Sequence, residues 1–310
     1  MRQPKERAIV VSALKHAAPY IRLFKRKVFV LKAGGAVFAK PESTRALMEQ
    51  VGILHQVGIR VVLVHGGGPQ STELANALGV DSTFVEGRRV TDAGALAVSA
   101  MVLNGQINTR ILAACRDLEI PAVGISGVDA GLIQAHRRPP VETDGGEVDY
   151  GFVGDIDGVD IDVVNKQLDN GLMPVISPLS ADDQGELLNI NADTVAAAIA
   201  GALQAEKLIL ATGAPGILAD ATDPGSLVSY VDRAGLAKLK ADGSLADGML
   251  PKAAAIDAAL EGGVQRVHMI SHALPDSLLL EVFSNEGTGT LIVDSIDALT
   301  PAAQRSGSTS

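Results

Sequence analysis

Three short apolar runs in this chain each give way to a glycine cluster. Residues 28–31 lead into Lys32-Ala33-Gly34-Gly35, and residues 59–64 into His65-Gly66-Gly67-Gly68-Pro69. The run opened by Lys207 and closed by Ala211 leads into Thr212-Gly213. A run that is apolar at every position fits a strand covered on both faces, as in a parallel sheet. Helical segments lie between these runs, and Pro69 suits the first turn of one. The alternation predicts an α/β fold: a three-layer αβα sandwich around one open, mainly parallel sheet. Ligands of such sheets gather beyond the C-terminal strand ends. The glycine clusters are therefore expected along one edge, as a shared site requires.

Helical spacing is read over 42–57, 93–118, 162–170, 192–203, 250–262 and 275–283, and strands over 122–125, 174–176, 266–270 and 290–293. Residues 6–26 place Ile9, Ala13, Ala17, Ile21 and Phe24 on one stripe, with a kink or break expected at Pro19. Residues 131–154 carry Pro139-Pro140 and Asp144-Gly145-Gly146, hairpin chemistry that suits a flap over a substrate. Residues 179–186 read as a polar break and a lobe boundary, and 220–229 as a variable loop. The expected organisation is a helical arm at 1–27, two lobes at 28–180 and 181–294, and a disordered tail at 295–310. No internal repeat is visible.

Aromatic residues make up 3% of the chain and Trp is absent, which leaves little for base stacking. The net charge of -10 argues against a nucleic-acid partner, whose phosphates need a basic face. Residues 1–27 run against the trend, with eight Lys or Arg and the single acid Glu6, so the remainder is near -17. That arm reads either as a solvated helix face or as a basic element docking on an acidic neighbour. One cysteine, Cys115 in an apolar run, excludes an internal disulfide and suits a reducing cytoplasm. No stretch approaches the ~20 apolar residues of a membrane span. No signal peptide is read at the N-terminus, and no appended acetyltransferase domain is expected after Val293.

Several motifs carry chemistry. Lys32 closes a buried strand just before Gly34-Gly35, where a charge needs a partner. Consecutive glycines before a helix, as at Gly67 and Gly68, let backbone N–H groups approach an anion. The spacing is neither G-x-G-x-x-G nor G-x-x-x-x-G-K-[ST], which disfavours a dinucleotide site and a P-loop. Arg88-Arg89 precede Val90-Thr91, and arginine's planar fork matches a carboxylate, although two adjacent arginines also fit a plain surface. Asn189-Ile190-Asn191-Ala192-Asp193 opens a helix. Asn191 is its N-cap candidate, and capping explains one polar residue there, not three. Asp247-Gly248-Met249 precedes Lys252. Asp129 and the acids of 144–149 are only weak metal candidates, so no metal-ligand set is assigned.

Taken together over residues 27–293, these motifs resemble the amino-acid kinase family, and within it the arginine-sensitive branch that phosphorylates N-acetyl-L-glutamate. The stretch from Glu261-Gly262-Gly263-Val264 through Arg266 and His268 to Glu281-Val282-Phe283 and Gly287-Thr288-Gly289-Thr290 strengthens the resemblance. It implies ATP with Mg2+ as phosphoryl donor, an ATP-binding lobe at 181–294, an acyl-amino-acid-binding lobe at 28–180 that also dimerises, and a cytoplasmic enzyme of arginine biosynthesis. Lys32, Lys252 and Asp193 take the catalytic roles, with Asp193 organising the two lysines. Gly34, Gly35 and Gly67 serve the phosphate. Gly67, Gly68, Arg89 and Asn189 serve the substrate. Thr212, Gly213 and Gly216 serve the nucleotide, and Glu281, Gly287, His268 and Tyr20 an arginine effector. The N-terminal helix implies a hexamer built as a trimer of dimers. Alternatives on the same fold are a 2-aminoadipate kinase of lysine biosynthesis and a silent amino-acid-sensing subunit. Five places depart from the family pattern. Ala33 stands for a larger residue, Gly213 for an aspartate, Val128 for a lysine, Ser271-His272 for Asp-Gly, and Asp276 for a histidine.

Overall fold

A computed structural model describes residues 4–295, except 86, 87, 144, 221, 224, 246, 285 and 286. Apart from Ser295, the tail expected to be disordered lies outside the described residues. So do the side chains of residues 4–8, Arg88 and Asp247.

Eight strands form the central sheet: β1 (Val28–Ala33), β2 (Arg60–His65), β3 (Ala122–Ser126), β4 (Met173–Ser177), β5 (Lys207–Thr212), β6 (Tyr230–Asp232), β7 (Val267–Ser271) and β8 (Thr290–Val293). Their order is β6-β8-β7-β5-β1-β2-β4-β3. Every pairing is parallel except β7 with β8. The apolar residues of the central strands alternate between two cores. Val30, Val62, Val64, Leu208 and Leu210 face one side. There they meet the helices α4 (Ala192–Ala202) and α5 (Leu250–Glu261). Phe29, Leu31, Val61, Leu63 and Ile209 face the other. That side is covered by α1 (Pro4–Phe24), α2 (Pro41–Gln56), α3 (Gly68–Leu78), the helical segment 93–117 and α6 (Ser277–Phe283). This is the expected αβα sandwich.

The segment 93–117 is one continuous helix whose middle, Met101–Asn108, widens into a π-helix. The wide turn presses Leu103 and Ile107 onto Gly67, where an added Cβ would stand 2.8 and 2.7 Å from their methyl groups. π-segments inside α-helices concentrate at functional sites.

A second, four-stranded sheet lies beside the first, in the order Leu187–Asn189, Leu179–Ala181, Ile133–Arg137, Gly154–Val159. The hairpin Val141–Thr143 and Gly146–Val148 extends from it, as the turn chemistry indicates. The polar break at 179–186 is shorter than expected. Leu179–Ala181 is a buried strand paired antiparallel with Leu187–Asn189, and only the turn between them is polar.

α1 departs from expectation twice. The helix continues through Pro19, which removes one backbone donor but does not end it. Of the apolar stripe, only Phe24 is buried, edge-on to Phe29, while Ile9 is 67% exposed. The strand β6 and the helix Arg233–Ala241 are additions to the expected elements. Asp232 caps that helix, accepting from Gly235 N at 2.8 Å, and this Asp-x-x-Gly start is a readable signal.

Candidate active site

A cavity of about 430 Å3 opens where the glycine clusters after β1 and β2 meet the N-terminus of α4. Lys32, Gly34, Gly35, Gly66, Gly67, Gly68, Arg89, Asn189 and Asp193 line it. Lys32 and Asp193, distant in sequence, converge because α4 packs across β1 and its first turn carries Asp193 to the strand end where Lys32 lies. Gly66 N donates to Ala33 O at 2.9 Å, which ties the first two loops together.

The charges are arranged around one carboxylate. Asp193 sits in the first turn of α4, which Asn191 caps by accepting from Asp193 N at 2.7 Å and Thr194 N at 3.3 Å. Lys32 Nζ lies 2.8 Å from Asp193 Oδ1. Lys252 Nζ lies 3.9 Å from the other oxygen, Oδ2. Lys252 enters from the first turn of α5 just after Pro251, and its ammonium also donates to Gly248 O at 3.2 Å. A single buried acid therefore spans two ammonium groups, as the resemblance implied.

Arg89 is half-buried, and burial pushes its pKa down. Its guanidinium donates to Ser82 Oγ and Thr72 Oγ1, both at 2.6 Å, and lies 4.7 Å from the centroid of the Phe84 ring. Among the described residues no carboxylate pairs with it. Asn189 lies nearby, with its amide 3.5 Å from Thr91 Oγ1. Arg138 and Tyr150, which belong to none of the sequence motifs, also line the cavity. Arg138 donates to both oxygens of Asp155. Four described cations at or beside the cavity (Lys32, Arg89, Arg138, Lys252) thus face Asp155 and Asp193 alone. The site is built for anions, although the chain is acidic.

Thr212, Gly213 and Gly216 do not line this cavity. Thr212 ends β5, immediately beside β1, and Gly213 and Gly216 follow it on the same sheet edge. Thr212 Oγ1 donates to Ala214 O at 2.9 Å. Gly216 is packed so closely on Thr290 that a Cβ would stand 2.5 Å from its hydroxyl. Among the described residues, no group of three or more His, Cys, Asp or Glu side chains converges as a metal cage would.

The residues expected to take an effector form a separate cluster behind β7. His268 Nδ1 lies 2.6 Å from Glu281 Oε1, and Thr288 N donates to Glu281 Oε2 at 2.7 Å. Gly287 adopts a φ of 58° against that carboxylate. Tyr20, on α1, is half-buried against the same core. Lys207, read from sequence only as the start of a strand, completes the cluster. Its Nζ lies 2.8 Å from His268 Nε2 and 5.1 Å from the Phe24 ring centroid. Burial, and then Lys207, push His268 down to about 4, so the imidazole is neutral near pH 7. Burial, and then Arg266, lower Lys207 to about 8. Burial pushes Glu281 up, but His268, the Thr288 N–H and Lys207 outweigh it and hold the carboxyl at about 2. No sequence signal marks Lys207, because a lysine that opens a strand is normally solvated.

Comparison with known proteins now decides the family. The model of the amino acid kinase family matches residues 27–271. The chain belongs to the amino acid kinase family. Among relatives in this family, the acetylglutamate kinase of Myxococcus xanthus is 49% identical over 288 residues, covering 91% of this chain and 94% of that protein. The acetylglutamate kinase of Symbiobacterium thermophilum is 45% identical, covering 91% and 97%. Among solved structures, the N-acetylglutamate synthase of Neisseria gonorrhoeae, complexed with coenzyme A and N-acetyl-glutamate, superposes with a TM-score of 0.80 at 30% identity. It covers 92% of this chain, which spans only 63% of the synthase's length. Carbamate kinase from Giardia lamblia bound to AMP-PNP, at 16% identity and a TM-score of 0.61, shares the amino acid kinase fold. Among the described residues, no helix is long and apolar enough to cross a membrane.

Proposed function

We propose that the chain transfers the γ-phosphoryl group of ATP to the side-chain carboxylate of N-acetyl-L-glutamate, giving N-acetylglutamyl phosphate for arginine biosynthesis. The observation that carries this reading is the pairing of two features in one cavity. Among the described residues, the half-buried Arg89 guanidinium is held by the hydroxyls of Ser82 and Thr72 and by the face of Phe84. The Lys32–Asp193 pair lines the same cavity, and Lys252 stands beside it, 3.9 Å from Asp193 Oδ2. The first suits the α-carboxylate of an acyl amino acid, and the second a phosphoryl group in transit. The names of the most similar relatives support the same acceptor.

A carboxylate is already a nucleophile, so no general base is needed. One carboxylate oxygen forms the new bond to the γ-phosphorus, the bond to the β–γ bridging oxygen breaks, and ADP leaves with the electron pair. Catalysis is positioning and charge stabilisation. Lys32 and the N–H groups of Gly34, Gly35 and Gly67 hold the transferring group. Lys252 neutralises the leaving side, and Asp193 keeps both ammonium groups in place. Arg89, Gly67, Gly68 and Asn189 hold the acceptor. Thr212, Gly213 and Gly216 border the nucleotide. A divalent cation, Mg2+, would enter on the ATP phosphates and share their charge. Such a cation is commonly held by nucleotide phosphates and water, with few or no protein carboxylates, and would be so held here.

The residues 28–180 and 181–294 serve as acceptor and donor lobes, and the enzyme works in the cytoplasm. L-Arginine acts as feedback inhibitor at the second cluster, where Glu281 takes the guanidinium. Gly287, His268 and Tyr20 border that position, and Lys207 joins them. A structure of the Neisseria synthase contains L-arginine, which supports an arginine site on this fold. The open apolar positions of α1, with Ile9 67% and Leu14 62% exposed, suit a helix that interlaces dimers into a hexamer. The test is ADP release with N-acetyl-L-glutamate, L-glutamate, N-acetyl-aminoadipate, aspartate, carbamate and UMP as acceptors. Preference for N-acetyl-L-glutamate is expected; preference for any other overturns the reading.

A further inference from the structure

Gln70 follows Pro69 in the first turn of α3, is 5% exposed, and has no role in the phosphate, acceptor or nucleotide groups named above. Its Nε2 donates at 2.7 Å to the carbonyl oxygen of Gly35, on the other glycine loop. The fit around Gly35 is tight. A Cβ there would stand 2.5 Å from Gln70 Oε1, 3.0 Å from Gly67 Cα and 3.1 Å from Pro69 Cδ. Gln70 Oε1 itself is buried without a hydrogen-bond partner among the described residues. Leaving a buried acceptor unsatisfied is unfavourable. The amide is therefore held in place by its donor half and by packing, at some loss on the other half.

We propose that Gln70 is a positioning residue for phosphoryl transfer, clamping the Gly34–Gly35 loop to the Gly67–Gly68 loop. This rests on the reading of the cavity as a kinase site. The two loops supply backbone donors to one transferring group, so their spacing sets how many donors reach it together. The strand ladder fixes the loops only at their roots, through Gly66 N and Ala33 O. Gln70 fixes the next residue but one, Gly35, which lines the cavity. The carbonyl of Gly35 shares a trans peptide plane with the N–H of Ala36. Holding the carbonyl toward α3 turns that N–H to the opposite side. Asparagine is too short to span the gap. Glutamate keeps the shape but sets a carboxylate against a carbonyl oxygen.

The test uses Gln70→Leu and Gln70→Glu in the full chain, with two readouts on each. Hydrogen exchange of the peptide spanning residues 33–38 reports the clamp without any substrate. Steady-state kinetics with ATP and N-acetyl-L-glutamate report its use. Faster exchange is expected in both variants. The kcat is expected to fall about 10- to 100-fold, the scale of an ångström-sized misplacement, while KM for N-acetyl-L-glutamate moves less than about threefold. The carboxyl introduced by Gln70→Glu, buried beside a carbonyl, has a raised pKa and donates once protonated. The kcat of Gln70→Glu relative to wild type is therefore expected to recover as pH falls from 8 to 6, with no matching recovery in Gln70→Leu. Unchanged exchange at 33–38 overturns the clamp, and faster exchange with unchanged kcat overturns the positioning role. Failure of the wild-type chain to turn over N-acetyl-L-glutamate would instead count against the kinase reading, because the exchange readout decides the clamp alone.

Discussion

Lys32 Nζ stands 2.8 Å from Asp193 Oδ1, with both side chains less than a tenth exposed. Two charges taken out of water at that depth are tolerable only while they remain paired. The pair also fixes the Lys32 ammonium within the cavity that Gly34, Gly35, Gly66, Gly67 and Gly68 line.

Asp193→Asn keeps the shape and the helix start but removes the charge between the two lysines. The kcat is expected to fall by about 10²–10³, the usual loss for a preorganised electrostatic group. Lys32→Ala and Lys252→Ala should fall in the same range. The double variant Lys32→Ala/Asp193→Asn should lose much less than the sum of the single losses, since the groups act as a unit. Stopped-time ADP assays at saturating ATP check this, and near-normal kcat in either lysine variant would contradict the assignment.

Arg89→Ala should act mainly on KM for the acceptor. Removing a charge-assisted bidentate hydrogen bond at a half-buried site costs about 1.5–3 kcal/mol, or roughly a 10- to 150-fold rise. Arg89→Lys should recover little, because an ammonium cannot reproduce the fork. A loss confined to kcat would place Arg89 elsewhere in the reaction.

His65 is fully buried, and burial lowers it from 6.5 to about 4. Between these values the unfolded chain binds a proton that the folded chain refuses. Stability is therefore complete above pH 6.5 and declines as pH falls toward 4, by on the order of 3 kcal/mol for this residue. Thermal melts from pH 7.5 to 4.5 should show the decline, and His65→Asn should make it shallower, leaving the share of His268, which is lowered to about 4 in the same way. An equal slope in wild type and variant would remove His65 from the account.

Deleting residues 1–26 removes α1 but no residue of the cavity. The full chain should have the mass of a hexamer in solution and the truncated chain that of an active dimer. Equal masses for the two would contradict the interlacing role of α1.

The fold is legible in the sequence because its central strands are largely apolar runs, a pattern that a doubly covered sheet satisfies. Glycine clusters at the strand ends then locate the site edge, and motif order supplies Lys32, Arg89, Asn189 and Asp193. What stays hidden depends on partners distant in sequence. Lys207 is buried because Phe24 and His268 surround it. Gln70 matters because Gly35 lies against it across 35 residues. The antiparallel course of β8 is equally unreadable, since direction is set by the connection before it rather than by the apolar run. Pro19 misleads for another reason: a single lost donor in an exposed helix is a local cost, which the rest of α1 absorbs.

The central claim is transfer of a phosphoryl group to the side-chain carboxylate of an N-acylated amino acid. The product of that step is an acyl phosphate, which hydroxylamine converts to a hydroxamate. The decisive measurement is hydroxamate formed from ATP, Mg2+ and N-acetyl-L-glutamate, compared with ADP released in the same samples. The account predicts equal amounts of the two, abolished together by omitting the acceptor. ADP released without hydroxamate, or hydroxamate formed as readily from L-glutamate, would contradict it.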